Sequence, residues 1–393
     1  MEEAVILSAA RIPIGKFGGA LAEFSATKLG AFAIKEAVRR SGIEPKEIQE
    51  VIMGNVVGAG LGQNPARQAT LYADLPNFVN ATTINKVCGS GLKAVALLAQ
   101  AIRAGDLSIG VGGGMESMSN APYLLDKARW GYRLNHGKLV DSAIQDGLWD
   151  IYNDFHMGMT AELVSERYSI TRKEQDEFAV ESHKKAILAI KEGKFNEEIV
   201  PVLIPVKKGE PKPFNIDESP REDSTLETLS RLKPAFKDGG TVTAGNAPGL
   251  NDGASAVVVA GATKARELGV PPIARILGYT QAALDPKWVM IAPIDAVKKL
   301  LENLKLTVLD FDLIELNEAF SVQALAVMKE LKLKPEKVNV HGGAVALGHP
   351  IGASGARILT TLIYALKSRG KKLGLTSLCL GGGGAVAMAI EML

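Results

Sequence analysis

Short apolar runs alternate along this chain with longer stretches in which apolar residues recur every three or four positions. The first rhythm predicts buried strands and the second predicts amphipathic helices. Residues 4–8 read as a strand, and residues 11–19, rich in Gly and Pro, as a loop. Leu29, Ala33, Ala37 and Val38 give residues 26–40 a helical face that stops near Gly42. Residues 50–57 are strand-like, interrupted at Gly54, and Pro65 sits in the first turn of a short helix. Leu92, Val95, Ala96, Leu97, Ala99, Ala101 and Ile102 mark a helix that begins at Gly89 or Ser90 and ends at Gly105. Residues 109–114 read as a strand running into a glycine turn. Strands alternating with helices predict an α/β fold with parallel pairing through crossover connections.

Near residue 120 the texture changes. Trp130, Tyr132, Trp149, Tyr152, Phe155 and His156 cluster in a polar stretch. A charged helix over residues 171–191 opens with the capping-box pattern Thr171-Arg172-Lys173-Glu174, and residues 201–220 read as loop. Residues 120–249 are therefore expected to be an insertion. Regular α/β pattern returns at residues 254–260 and repeats the first part in the same order. Residues 48–55 resemble 311–317, Gly89-Ser90-Gly91-Leu92-Lys93 resembles Ala353-Ser354-Gly355-Ala356-Arg357, and residues 109–114 resemble 375–384. The expectation is a duplicated unit: residues 1–119, completed by 250–269, and residues 270–393. Two helix starts would then face each other, at Cys88 and near Gly352-Ala353-Ser354, across a junction of the kind where α/β sheets bind ligands.

Composition narrows the function. A net charge of +2 and 5% aromatics give no electrostatic or stacking case for nucleic acid. Hydrophobic residues at 47% make the chain too apolar for disorder, and 393 residues imply two or three domains. Two cysteines argue against a disulfide framework and fit a reducing compartment. No secretion signal or membrane-spanning run is read, and Ile390-Glu391-Met392-Leu393 does not read as a peroxisomal or prenylation signal. A cytoplasmic protein is the expectation.

Cys88 lies in Asn85-Lys86-Val87-Cys88-Gly89-Ser90-Gly91, just before a helix start. Backbone N–H groups and the helix dipole would lower its pKa there, although a buried structural cysteine fits the same position. His349, Cys379 and Asn317 meet Cys88 if the duplication holds. A thiolate attacks a carbonyl, an imidazole takes the thiol proton, and a second thiol serves as acid or base. The N–H groups of Cys88 and Gly381, with Asn317, could bind oxyanions. Singly, His349 also reads as a loop residue, Cys379 as core, Asn317 as a helix cap and His156 as a packed ring. No Cys-x-x-Cys or His-x-x-x-His pair appears, so no metal site is expected, and no nucleotide fingerprint follows the first strand.

These residues resemble the thiolases along essentially the whole chain. The matches are residues 85–93, Gly112-Gly113-Gly114-Met115-Glu116-Ser117-Met118-Ser119, Asn317-Glu318-Ala319-Phe320, Gly348-His349-Pro350-Ile351-Gly352 through Arg357, and Cys379-Leu380-Gly381-Gly382-Gly383. The resemblance implies five layers, α/β/α/β/α, with an inserted loop domain. It implies an acetyl-CoA C-acetyltransferase in which Cys88 accepts the acetyl group, His349 activates it and Cys379 exchanges a proton with the substrate α-carbon. Asn317 with His349 would form one oxyanion hole, through a water, and the Cys88 and Gly381 N–H groups the other. Acetyl-CoA, acetoacetyl-CoA and CoA are the implied substrates, with no cofactor and no metal. Leu148, His156, Met157, Arg221, Leu229, Leu232, Phe236, Ala244, Gly245, Ala247, Pro248, Ala319 and Phe320 are the implied CoA and acyl contacts. The His156-Met157 pair resembles the short-chain members, against the alternative of a longer-chain 3-ketoacyl-CoA thiolase. Pro248 departs from a common Ser, and Trp288-Val289-Met290-Ile291-Ala292-Pro293 departs from the usual pattern beside the acyl end. A homotetramer is implied, with residues 123–131 near its contact.

Overall fold

In the computed structural model, residues 2–393 are described. Ten strands join in one sheet. Its order is Leu313–Leu316, Leu373–Leu380, Gly384–Met392, Ala274–Ala283, Ala4–Arg11, Asn251–Gly261, Ile109–Ser117, Glu50–Gly54 and Asn80–Ile84, with Gly15–Lys16 added to the Asn251–Gly261 strand. At the middle, Ala4–Arg11 and Ala274–Ala283 share only the pairs Val5 with Arg275 and Ile6 with Ala274. That seam separates two halves of matching strand order. The bridge from Ile314 to Val338 stands in the second half where Asn80–Ile84 stands in the first.

Side chains alternate across each strand. Val5, Leu7, Val51, Met53 and Val111 pack under the Ala26–Ser41 helix. Their neighbours Ala4, Ile6, Ile52, Val257 and Val259 face two central helices, Ser90–Ala104 and Ile351–Ser368. Leu378, Val386, Met388 and Ile390 close that central layer from the other half. Ile314, Leu316, Leu375 and Ala387 turn outward to the Ala292–Leu304 and Ser321–Leu331 helices. The layers are helix, sheet, helix, sheet, helix, as expected.

The central helices nearly touch. A Cβ on Gly91 would lie 2.7 Å from the Ala356 nitrogen, and one on Gly355 would lie 2.5 Å from the Leu92 nitrogen. Gly355→Ala is therefore expected to cost about 1–3 kcal/mol, read as a lowered urea midpoint at fixed protein concentration. An unmoved midpoint would show that the helices can part without penalty.

Four local expectations are corrected. Pairing is mixed: only Glu50–Gly54 with its two neighbours and Leu313–Leu316 with Leu373–Leu380 are parallel. Asn251–Gly261 enters the sheet after the long excursion, antiparallel to both neighbours, and a hairpin forces the same at Gly384–Met392. Glycines 112–114 do not turn the chain; the strand runs through them to Ser117. Backbone lies on each of them: a Cβ on Gly112 would meet the Val95 helix backbone, one on Gly113 the Ser255 carbonyl of the adjacent strand, and one on Gly114 the Gly352 carbonyl. The turn appears only in the second half, where Gly382 and Gly383 take φ +84° and +90°. Residues 201–220 hold a short hairpin, Val202–Ile204 with Lys212–Phe214. Asn317 caps no helix; Ser321–Leu331 starts after Phe320.

Between Ser117 and Asn251 lie small hairpins and the Met157–Tyr168 and Arg172–Lys191 helices. Thr171 and Glu174 form the expected capping box. Buried Arg11 ties this stretch to the first strand, donating to Glu198 at 2.6 Å and to Asp217 at 2.7 and 2.8 Å. Residues 87–104 have the length and hydropathy of a membrane span, but here they carry the central helix between the two halves.

Candidate active site

The two halves meet at a cavity of about 110 Å³. Cys88, Cys379, His349 and Gly381 all line it. Among the described residues, no Asp, Glu, Lys or Arg does, so charge developing inside would be met by backbone N–H groups and His349 rather than by a fixed ion.

Cys88 is presented by a held turn. Val87 before it has φ +47°, a costly conformation for a β-branched residue. Asn85 Oδ1 accepts from the Val87 N–H at 2.9 Å. Ser90 Oγ accepts from the Lys86 N–H at 2.8 Å and donates to the Val87 carbonyl at 2.6 Å. The helix then starts at Ser90. Cys379 is reached differently, near the end of the buried strand Leu373–Leu380, one residue before the glycine turn. Both thiols are free.

The expected low pKa of Cys88 is not found. Burial pushes its thiol up to about 12, and the N–H groups of Gly381 and of Cys88 itself pull back only part of that. Losing water outweighs the helix start. Cys379 is pushed up as well, by burial first and by Cys88 second. Both are thiols at rest. Alkylation of Cys88 by iodoacetamide should therefore climb roughly tenfold per pH unit from about pH 6 to 9, without a plateau. Peptide mass mapping across that range would read it, and a plateau near pH 7 would mean that the helix start wins.

His349 is buried, and its pKa falls to about 3, through burial and then through Arg357. Its imidazole is neutral. Its backbone N–H donates to Asn251 Oδ1 at 2.9 Å. Nδ1 lies 2.6 Å from Ser354 Oγ and 3.5 Å from Asn317 Nδ2, while Nε2 has no hydrogen-bond partner. Asn317 does not line the cavity itself, but it abuts His349, and its Oδ1 is also without a partner. The next residue, Glu318, anchors this corner by accepting from Asn339 and Ser182 at 2.8 Å and from the Val345 N–H at 3.0 Å.

Leu148, His156, Met157, Phe236, Ala247, Pro248, Ala319 and Phe320 also line the cavity. His156 stacks on Phe236 with centroids 4.6 Å apart, and Phe236 meets Phe320 edge-on at 6.2 Å. His156 Nδ1 accepts from the Gly158 N–H at 3.0 Å, which fixes the ring at the start of the Met157–Tyr168 helix. Leu229, Leu232 and Gly245 pack together outside the cavity, with Leu229 fully buried. Ala244 and Arg221 are exposed and do not line it.

Met118, Gly147, Gly249, Leu250, Val289, Met290, Ile351 and Leu380 line the cavity without having been singled out for it. Met118, Ile351 and Leu380 stand inside the motifs quoted above, and Val289 and Met290 in the divergent Trp288 segment. Among the described residues, no three His, Cys, Asp or Glu side chains group as a metal site.

A duplicated five-layered α/β fold with two thiols and a neutral imidazole in one uncharged cavity is a framework for acyl chemistry on sulfur. Residues 4–263 match the family model "Thiolase, N-terminal domain" and residues 270–392 match "Thiolase, C-terminal domain". The chain is 57% identical to an acetyl-CoA acetyltransferase of Cupriavidus necator, over 100% of both chains. It is 52% identical to one of Pseudomonas aeruginosa, over 99% of each. The crystal structure of the Bacillus anthracis acetyl-CoA acetyltransferase superposes with a TM-score of 0.98 at 47% identity, covering 100% of this chain and 99% of that one. The chain belongs to the thiolase family.

Proposed function

We propose that this protein is an acetyl-CoA C-acetyltransferase, joining two acetyl-CoA reversibly into acetoacetyl-CoA and CoA. The observation that carries the reading is the convergence of Cys88, His349, Cys379 and Gly381 on one small, uncharged cavity. Full-length identity to acetyltransferases of that name supports it.

In the first half, Cys88 Sγ attacks the thioester carbonyl and passes its proton to His349 Nε2. The C–S bond to CoA breaks, and Cys379 protonates the departing thiolate. Cys379 is then a thiolate, His349 an imidazolium, and Cys88 carries the acetyl group. In the second half, Cys379 takes a proton from the methyl group of a second acetyl-CoA. His349 Nε2–H, with Asn317, steadies the enolate oxygen. The enolate carbon attacks acetyl-Cys88, whose oxyanion meets the Cys88 and Gly381 N–H groups. Cys88 leaves as a thiolate and recovers its proton from His349. Protons balance, and no cofactor takes part.

His156, Met157, Phe236 and Phe320 would bound the acyl group and favour short chains. Leu148, Ala247, Pro248 and Ala319 would flank the thioester, and Arg221, Leu229, Leu232, Ala244 and Gly245 would serve the CoA arm at the mouth. Residues 120–249 form the inserted loop domain of this reading, and a cytoplasmic homotetramer is its assembly. Thiolysis of acetoacetyl-CoA, followed as loss of its magnesium-enolate absorbance on adding CoA, tests it. Activity on the C4 substrate well above that on a C10 ketoacyl-CoA is expected. The reverse preference would make this a longer-chain 3-ketoacyl-CoA thiolase.

A further inference from the structure

We propose that Ser354 sets the tautomer of His349, holding the ring proton on Nδ1 so that Nε2 is bare when Cys88 must lose its proton. The inference rests on the reading of His349 as the base for Cys88.

Counting hydrogens carries the argument. Ser354 Oγ lies 2.8 Å from the Pro350 carbonyl and 2.6 Å from His349 Nδ1. The carbonyl can only accept, so the single hydroxyl proton goes to it. The hydroxyl must then accept from the ring, which requires hydrogen on Nδ1. The opposite assignment would turn the hydroxyl proton to the ring and leave two oxygen lone pairs facing each other at 2.8 Å. Asn317 Nδ2, at 3.5 Å, is too far from Nδ1 to compete.

The other ring nitrogen, Nε2, agrees with this assignment. It is buried without a partner, on a ring that lines the cavity with Cys88. A neutral imidazole with Nδ1 protonated has its lone pair there. Ser354 is itself fully buried, in the first turn of the Ile351–Ser368 helix. Its backbone N–H bonds the same Pro350 carbonyl at 2.9 Å, so the hydroxyl sits on rigid backbone. Once Nε2 takes the thiol proton, Nδ1–H keeps its bond to Ser354, and the ring need not turn between acting as base and steadying the enolate.

Ser354 is thus a positioning residue that touches no substrate. Its test is twofold. Protein labelled with ¹⁵N-histidine, with His349 assigned from the signal missing in His349→Asn, should show Nδ1 protonated and Nε2 bare. Ser354→Ala should shift that ring toward the other tautomer. It should also slow acetyl transfer to Cys88 about ten- to a hundredfold in single-turnover mass spectrometry, with KM for acetyl-CoA unchanged. Ser354→Thr, which keeps the hydroxyl, should restore most of the rate. Hydrogen on Nε2 in the wild-type ring would overturn the proposal. So would wild-type acetylation by Ser354→Ala alongside an inactive His349→Asn. If His349→Asn itself acetylates normally, the base reading fails, while the ring signal still decides the tautomer.

Discussion

Cys88→Ala is expected to fold, to bind acetyl-CoA and to take no acetyl group from it. The loss in turnover should be about 10⁴-fold or more, since the covalent route disappears entirely. The substitution removes one sulfur from a cavity wall and leaves untouched the hydrogen bonds of Asn85 and Ser90 that hold the Val87 turn. Intact-protein mass after mixing with acetyl-CoA reads the result directly, as an added acetyl group in the wild type and none in the variant. Cys88→Ser should do little better. A hydroxyl is far harder to deprotonate than a thiol, and the neutral imidazole at His349, with its pKa near 3, is a weak base. An acetylated Cys88→Ala protein would move the nucleophile to Cys379, the other thiol in the cavity.

Much of this site was legible before any coordinates, and the reason is local. Helix ends announce themselves through residues that satisfy backbone groups. Gly42 closes one helix, Thr171 and Glu174 open another, and Gly105 closes the one after Cys88. Thiols, imidazoles and the glycines beside them are rare enough to be singled out. What stayed hidden depends on neighbours distant in sequence. Glycines 112–114 look like a turn until the backbone of Val95, Ser255 and Gly352 is found against them. The helix start at Ser90 predicts a low thiol pKa until burial is weighed, and burial reverses the sign. Met118, Leu250 and Ile351 are apolar residues like any in the core, and nothing in their identity says that they face a cavity. Arg11 and Asp217 fall in stretches that read as loop, yet with Glu198 they form a buried ion cluster. Ser354 stood inside a recognised motif, but its bond to His349 crosses five residues of chain and a change of direction at Pro350.

Cys379→Ala separates the two halves of the reaction. It is expected to accept an acetyl group on Cys88 and to fail at condensation, with turnover down by about 10²–10⁴. CoA is a thiol of ordinary acidity and can depart as a thiolate without help, so the acid role of Cys379 in the first half is dispensable. Its base role in the second half is not. A thioester methyl group gives up a proton only to a base placed against it, and within the cavity only His349 and His156 could substitute. His349, with its pKa near 3, is too weak a base for a methyl proton, and His156 holds the Gly158 N–H on Nδ1 while it is stacked on Phe236. Exchange of the acetyl-CoA methyl hydrogens with deuterated solvent isolates this step, because it needs proton removal and return but no carbon–carbon bond. Wild-type protein should catalyse that exchange, and Cys379→Ala, though acetylated, should not. Undiminished exchange would place the base elsewhere in the cavity. Loss of acetylation together with exchange would instead mean that the two thiols act as one unit from the first step, which the effect of Cys88 on the Cys379 pKa makes physically reasonable.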